Sequence, residues 1–265
     1  MNILLTLGFI IAFGSVFGGF ILEKGAIASL WQLSSFCIVF GGTIGIALIS
    51  FPLNNLKTIP SALKLILVRK KKDGRKLVDM LCDIDNKARR EGLLSLETEA
   101  ENVKDPFIKK GLEYVADGVD PEYLKKMLEN EIEVKQQRYE DAAAVFDGMG
   151  GTAPTMGVLG TVMGMTNVLA NMDNDVKKLC GNIAVAFIAT FYGVGSANLI
   201  WIPIGQHIKV VAEKESDYME VVVEGLMAIQ AGEPSSRLRA RLNVMLDEKN
   251  NGAGKSNTEK AEDNT

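Results

Sequence analysis

The chain has 265 residues, 47% hydrophobic and 23% charged, with a formal net charge of −4. That net value averages a basic segment around residues 69 to 76 with an acidic remainder, so it does not point to nucleic-acid binding. Cys37, Cys82 and Cys180 show no paired spacing, which excludes a disulfide framework or a cysteine metal motif.

The charges are segregated. Four windows hold no Asp, Glu, Lys or Arg: Met1 to Leu22, Gly25 up to Lys57, Gly148 to Met172, and Leu179 to Ile208. Each exceeds the roughly 20 residues that cross a hydrocarbon core, and helices buried in soluble proteins seldom stay uncharged for so long. Met1-Asn2 offers no basic side chain and the first run is too long for a cleavable signal peptide. The expected fold class is an all-α integral membrane protein, with four transmembrane helices and a helical cytoplasmic domain inserted between helices two and three.

Spans one and two are expected within residues 1–52. Gly14-Ser15-Val16-Phe17-Gly18 and Gly41-Gly42-Thr43-Ile44-Gly45 are small-xxx-small patterns, which let helix backbones approach closely in lipid, although glycine is also simply common in membrane helices. Residues 53–146 read as the cytoplasmic domain. The connection from Pro52 to Phe146 holds 18 of the 29 Lys and Arg residues, against Lys24 alone between spans one and two. By the positive-inside rule this connection and both termini are cytoplasmic, in a cell inner membrane. Leu77, Leu81, Ile84 and Ala88 recur at helical spacing, and Gly92 is a plausible stop. Asp105-Pro106 and Asp120-Pro121 each place a capping carboxylate before a proline at the first helical position.

The helix from Pro121 meets no breaker before Gly148, so it is expected to run on into span three. Spans three and four occupy residues 147–208. Span four should continue as a cytoplasmic extension, 209–246, broken by Gly232-Glu233-Pro234 and ending in a short basic helix near Arg237 to Leu246. The polar tail, 247–265, is expected to be disordered.

No ionisable residue sits mid-span, so the chain lacks a proton-relay carboxylate of its own. Spans three and four are nonetheless rich in hydroxyls and amides: Thr152, Thr155, Thr161, Thr166 and Asn167, then Asn182, Thr190, Tyr192, Ser196 and Asn198. At about 1.5 Å per residue, Thr161 lies ~20 Å and Thr190 ~27 Å above the cytoplasmic ends. Their hydroxyls either face a water path or bond back to the preceding turn or a neighbouring helix. Pro154 and Pro203 fall near the cytoplasmic face at matching depths, as hinges or as ordinary terminators. His207, the only histidine, reads as interfacial, and no catalytic triad, phosphate loop or metal cluster appears, so no enzyme and no cofactor are expected.

The string Thr152-Ala153-Pro154-Thr155-Met156-Gly157-Val158-Leu159-Gly160-Thr161-Val162-Met163-Gly164 resembles the flagellar stator A subunit family, MotA. Its relatives ExbB and TolQ share the core of that string, but have three spans with the insert after the first. Gly14 to Gly19 and Lys87-Ala88-Arg89-Arg90-Glu91-Gly92-Leu93-Leu94-Ser95-Leu96-Glu97 also resemble MotA segments, and the likeness covers nearly the whole chain. The resemblance implies a ring of five such chains in membrane lipid around two copies of a MotB-type B subunit that brings the ion-accepting Asp. It implies that Thr161 and Thr190 line the ion pathway, that Pro154 and Pro203 couple ion passage to movement, and that Arg89 and Glu97 meet the rotor protein FliG. Arg90 is an adjacent rival to Arg89, and a solvated face is the bland alternative for all three charges. The transported cation is open between proton and sodium, with the proton preferred, and an ExbB/TolQ-like role in envelope transport is the alternative function.

Overall fold

A computed structural model describes residues 3–68, 72–170 and 176–247, all helix, turn or coil with no strand among them. The expected tail from 248 onward, the basic run Arg69-Lys70-Lys71 and Met172 lie outside the described residues, as do the side chains of Lys177 and Lys178. The helices are α1 (Ile3–Leu22), α2 (Leu33–Phe36), α3 (Gly42–Ser50), α4 (Leu53–Val68), α5 (Gly74–Glu91), α6 (Ser95–Asn102), α7 (Pro106–Ala116), α8 (Pro121–Ala170), α9 (Val176–Ser196), α10 (Ile202–Gln230) and α11 (235–247). Two π turns, Cys37–Gly41 and Ala197–Trp201, join α2 to α3 and α9 to α10. Two helical stretches are long and apolar enough to cross a membrane, Leu33–Ser50 and Leu179–Gln230, and Thr6–Leu22 is a shorter apolar helix.

The chain forms two compact units, residues 1–70 with 137–212 and residues 71–136 with 213–265. In the first, α8 and α9 meet along small residues. A Cβ added to Gly157 would lie 2.9 Å from the Ala189 carbonyl oxygen and 3.1 Å from Gly193 Cα, and one added to Gly193 would lie 2.6 Å from the Ala153 oxygen. Gly160 and Gly164 continue the seam against Ala189 and Ala186. The small-xxx-small device of the third charge-free window thus closes a helix pair within the chain, whereas Gly14, Gly18, Gly41 and Gly45 have open space around them. Lower in the same unit, Ala62 and Ile66 of α4 are buried with Ala142, Ala143 and Phe146 of α8 and Ile208 and Val211 of α10. The outward side chains of this unit are apolar, among them Ile10 and Ile11 on α1, Leu48 and Ile49 on α3, and Val162 and Met163 on α8. An apolar exterior of that extent requires lipid or a partner rather than water.

The second unit has an interior built like that of a soluble domain. Leu81, Leu96, Ile108, Leu112, Leu124, Leu128, Leu226, Ile229, Leu238 and Leu242 are all fully buried in one core. The helix limits follow local rules. The Asp105 carboxylate accepts from the Phe107 N–H at 3.1 Å and that of Asp120 from the Tyr123 N–H at 2.9 Å, so both proline-led helices are capped. Gly92 at φ 88° ends α5 and Gly232 at φ 65° follows α10, conformations that glycine adopts without steric cost. α8 runs unbroken for 50 residues, about 75 Å.

Candidate functional site in the first unit and on the α5–α6 turn

Most hydroxyls of α8 and α9 have settled on their own helix. Thr152 donates to the Gly148 carbonyl at 2.8 Å, Thr155 to Thr152 at 2.7 Å, Thr166 to Val162 at 2.9 Å and Ser196 to Gly193 at 3.2 Å. Back-bonding of this kind satisfies the hydroxyl without any ligand. Thr161 and Thr190 differ. Their oxygens lie 2.6 Å apart across the glycine seam, and Thr161 Oγ1 is also 3.1 Å from the carbonyls of both Gly157 and Ala186.

Gly157 and Gly193 bring the backbones close enough for two short side chains to meet, so the pair exists because of the seam. Thr161 carries one proton for two carbonyls; with that proton given to a carbonyl, Thr190 donates to Thr161 and keeps its own lone pairs for a further donor. Both residues are half-buried. The arrangement is a chain of oxygens able to accept and pass a proton, and it holds no carboxylate.

Pro154 lies inside α8, one turn beyond Gly150, whose carbonyl loses the bond that an N–H at 154 would have given. Pro203 stands in the first turn of α10, directly after the π turn Ala197–Trp201. Its missing N–H and bulky ring fall against the Leu199 carbonyl inside that turn, which explains why the helix widens there. A Cβ on Gly150 would sit 2.5 Å from Ile202 Cγ1, so the helix weakened by Pro154 touches the other beside Pro203.

Arg89, Arg90 and Glu97 are all exposed and stand in the second unit, around the turn that joins α5 to α6. The threonines and prolines belong to the other unit.

Three features were not legible as functional. Asp147 and Lys209 form an ion pair at 2.5 Å; each is the residue that bounds a charge-free window, and the pair aligns the ends of two such windows. The Tyr192 hydroxyl donates to the Leu30 carbonyl at 2.5 Å and accepts from the Gln32 N–H at 3.3 Å, fastening the connection between the first two helical stretches to α9. In the second unit, Glu215 lies 2.9 Å from Lys72 and 3.1 Å from Lys135, with Asp105 2.9 Å from Lys72. The window boundaries hinted at the first. Tyr192 stood only among the polar residues of span four, and nothing in the sequence singled out the Glu215 cluster.

Residues 6–92 match the motility protein A N-terminal family and residues 99–221 the MotA/TolQ/ExbB proton channel family. The chain is 36% identical to the uncharacterised protein YtxD of Bacillus subtilis (87% of this chain, 88% of that one). It is 32% identical to Motility protein A of the same species, over 92% of this chain and 90% of the relative. In three dimensions it superposes on a chain of the C. jejuni MotAB structure with a TM-score of 0.87 at 28% identity, covering 92% of this chain and 96% of the other. With its glycine seam, paired threonines and two matched segments, the chain belongs to the motility protein A branch of the MotA/TolQ/ExbB proton channel family.

Proposed function

We infer that the chain is the A subunit of a flagellar stator, which with a MotB-type partner conducts cations and converts ion-motive force into torque on the rotor. The observation that carries this reading is the Thr161–Thr190 oxygen pair, 2.6 Å apart in a seam without a carboxylate. For such a pair to pass an ion, the accepting acid has to come from another chain. The relatives named Motility protein A and the MotAB complex supply the class of partner. The match of residues 6–92 to the motility protein A N-terminal family favours this role over an ExbB/TolQ-like one in envelope transport.

In the finer reading, the four charge-free windows are four spans of the inner membrane with both termini cytoplasmic, and five copies surround two B subunits. Arg89 or Arg90, with Glu97, meets FliG; Pro154 and Pro203 flex as the B-subunit Asp is neutralised and released. The cation in this reading is the proton, which two oxygens in hydrogen-bond contact can hand on. One charge crossing 100 mV yields about 2.3 kcal/mol, enough to repack a helix contact.

Thr190→Val keeps the shape and removes the hydroxyl. It is expected to abolish swimming while the complex with the B subunit still assembles, as read by co-purification. Normal swimming of that variant would sink the pathway role.

A further inference from the structure

The turn between α5 and α6 carries two leucines where turns favour polar residues. Gly92 donates its N–H to the Ala88 carbonyl at 2.8 Å, and Leu93-Leu94 follow before Ser95 opens α6. Ser95 N–H on the Gly92 carbonyl at 3.1 Å, Leu96 N–H on Leu93 at 3.0 Å and Ser95 Oγ on Gly92 at 2.7 Å fix the turn. Behind it Ala88 and Leu96 are buried, and Lys87 is ion-paired with Glu99 across the two helices.

On this rigid support Leu94 is 72% exposed, more than any other large apolar side chain described in its unit; Tyr123 follows at 64%. Leu93 beside it is also exposed, and among the described residues of the unit no other two consecutive large apolar residues share that condition. Isolated exposed leucines are ordinary. A pair on a fixed turn, with exposed Arg89, Arg90 and Glu91 shortly before it and exposed Glu97 shortly after, has instead the make-up of an interface, with an apolar centre and a charged rim.

We propose that Leu94, with Leu93 beside it, is an apolar anchor that enters a cleft on the rotor protein, and that the surrounding charges orient the contact rather than supply most of its strength. The proposal rests on the rotor-facing reading of this turn. Solvated ion pairs contribute little by themselves, whereas a desolvated apolar anchor dominates many interfaces. The rim also decides the kind of occupant. It bears arginines before the turn and Glu97 after it, so it complements a protein surface with an acidic and a basic group flanking an apolar cleft; with Arg89 and Arg90 offset by Glu91 and Glu97, these four charges give no net positive charge to draw an anionic lipid surface.

The test uses the full complex with its B subunit, measuring affinity for purified rotor protein and torque in cells. Leu94→Ser should weaken rotor binding about tenfold, Leu94→Met should restore it, and Tyr123→Ser should bind as the parent does. If Leu94→Ser binds normally while Arg89→Glu and Glu97→Lys lose binding, the anchor is wrong and the rotor contact stands. If none of the three changes binding, the rotor-facing reading falls and takes the anchor with it. Should Leu94→Ser prevent ring assembly while each assembled complex still binds rotor normally, the leucine contacts a second copy, and the proposal is overturned.

Discussion

Glu215 is only 5% exposed yet sits between Lys72 and Lys135, with the Lys72 ammonium also 4.2 Å from the Tyr218 ring centre. Burial alone would raise the Glu215 carboxyl; its hydrogen bond and attraction to Lys72, with help from Lys135, outweigh burial and hold it below the usual carboxylate range. Burial likewise works to lower Lys72, but the hydrogen bonds to Glu215 and Asp105 win and raise it. A depressed acid stabilises the fold above its unfolded value and loses that contribution as pH falls through the folded one; a raised base does so below its unfolded value and loses it as pH rises. The cluster therefore contributes across the neutral range. Glu215→Gln leaves two lysines beside a neutral amide and is expected to cost about 2 kcal/mol, discounted because both cations are partly exposed. Thermal unfolding of the purified complex measures this, and the gap between variant and parent should shrink in acid; an unchanged midpoint at neutral pH would refute it. Sequence reading missed the cluster because Glu215 stands in a run of alternating charges, and only the folding of α10 beside Lys72 makes it special.

For the helices, the legible features were those that local chemistry fixes. The caps at Asp105 and Asp120, the glycine stops at 92 and 232, and the unbroken α8 each depend on a few neighbouring residues. The threonines show where such reasoning ends. By residue type alone Thr152, Thr155 and Thr166 were as promising as Thr161; the family resemblance singled out Thr161 and Thr190, and the packing of α8 on α9 shows these two sharing a hydrogen bond while the others bond back. The π turn before Pro203 was likewise hidden, since a proline predicts a lost bond but not how the helix absorbs it. The seam yields a sharp expectation. Gly157→Ala would press a methyl against the Ala189 carbonyl and the Gly193 backbone at 2.9 to 3.1 Å, atoms that cannot rotate away. Overpacking of this kind costs about 1–3 kcal/mol. The variant should lower the unfolding temperature of the complex and impair swimming, and parental behaviour in both assays would show that the helices have slack.

Across the whole molecule, charge segregation separated a unit with an apolar exterior from one with a charged exterior, but it could not show that α4 packs with the former, because that depends on Ala62 and Ile66 finding α8 and α10. It also could not name the ion, since the proposed reading puts the acid that receives it on another chain. For a proton-driven complex, swimming speed at fixed membrane potential should stay constant when external sodium is replaced by potassium; a fall in proportion to sodium would reassign the cation. The glycine seam bears on that choice in a further way. The distance between α8 and α9 is set by backbone meeting backbone at Gly157 and Gly193 and by Gly160 and Gly164 against Ala189 and Ala186, so it depends on these small residues and not on the threonines among them. Under the proposed pathway role of Thr161 and Thr190, the seam is a gauge that lets those hydroxyls, and with them the coupling ion, change without rebuilding the helices.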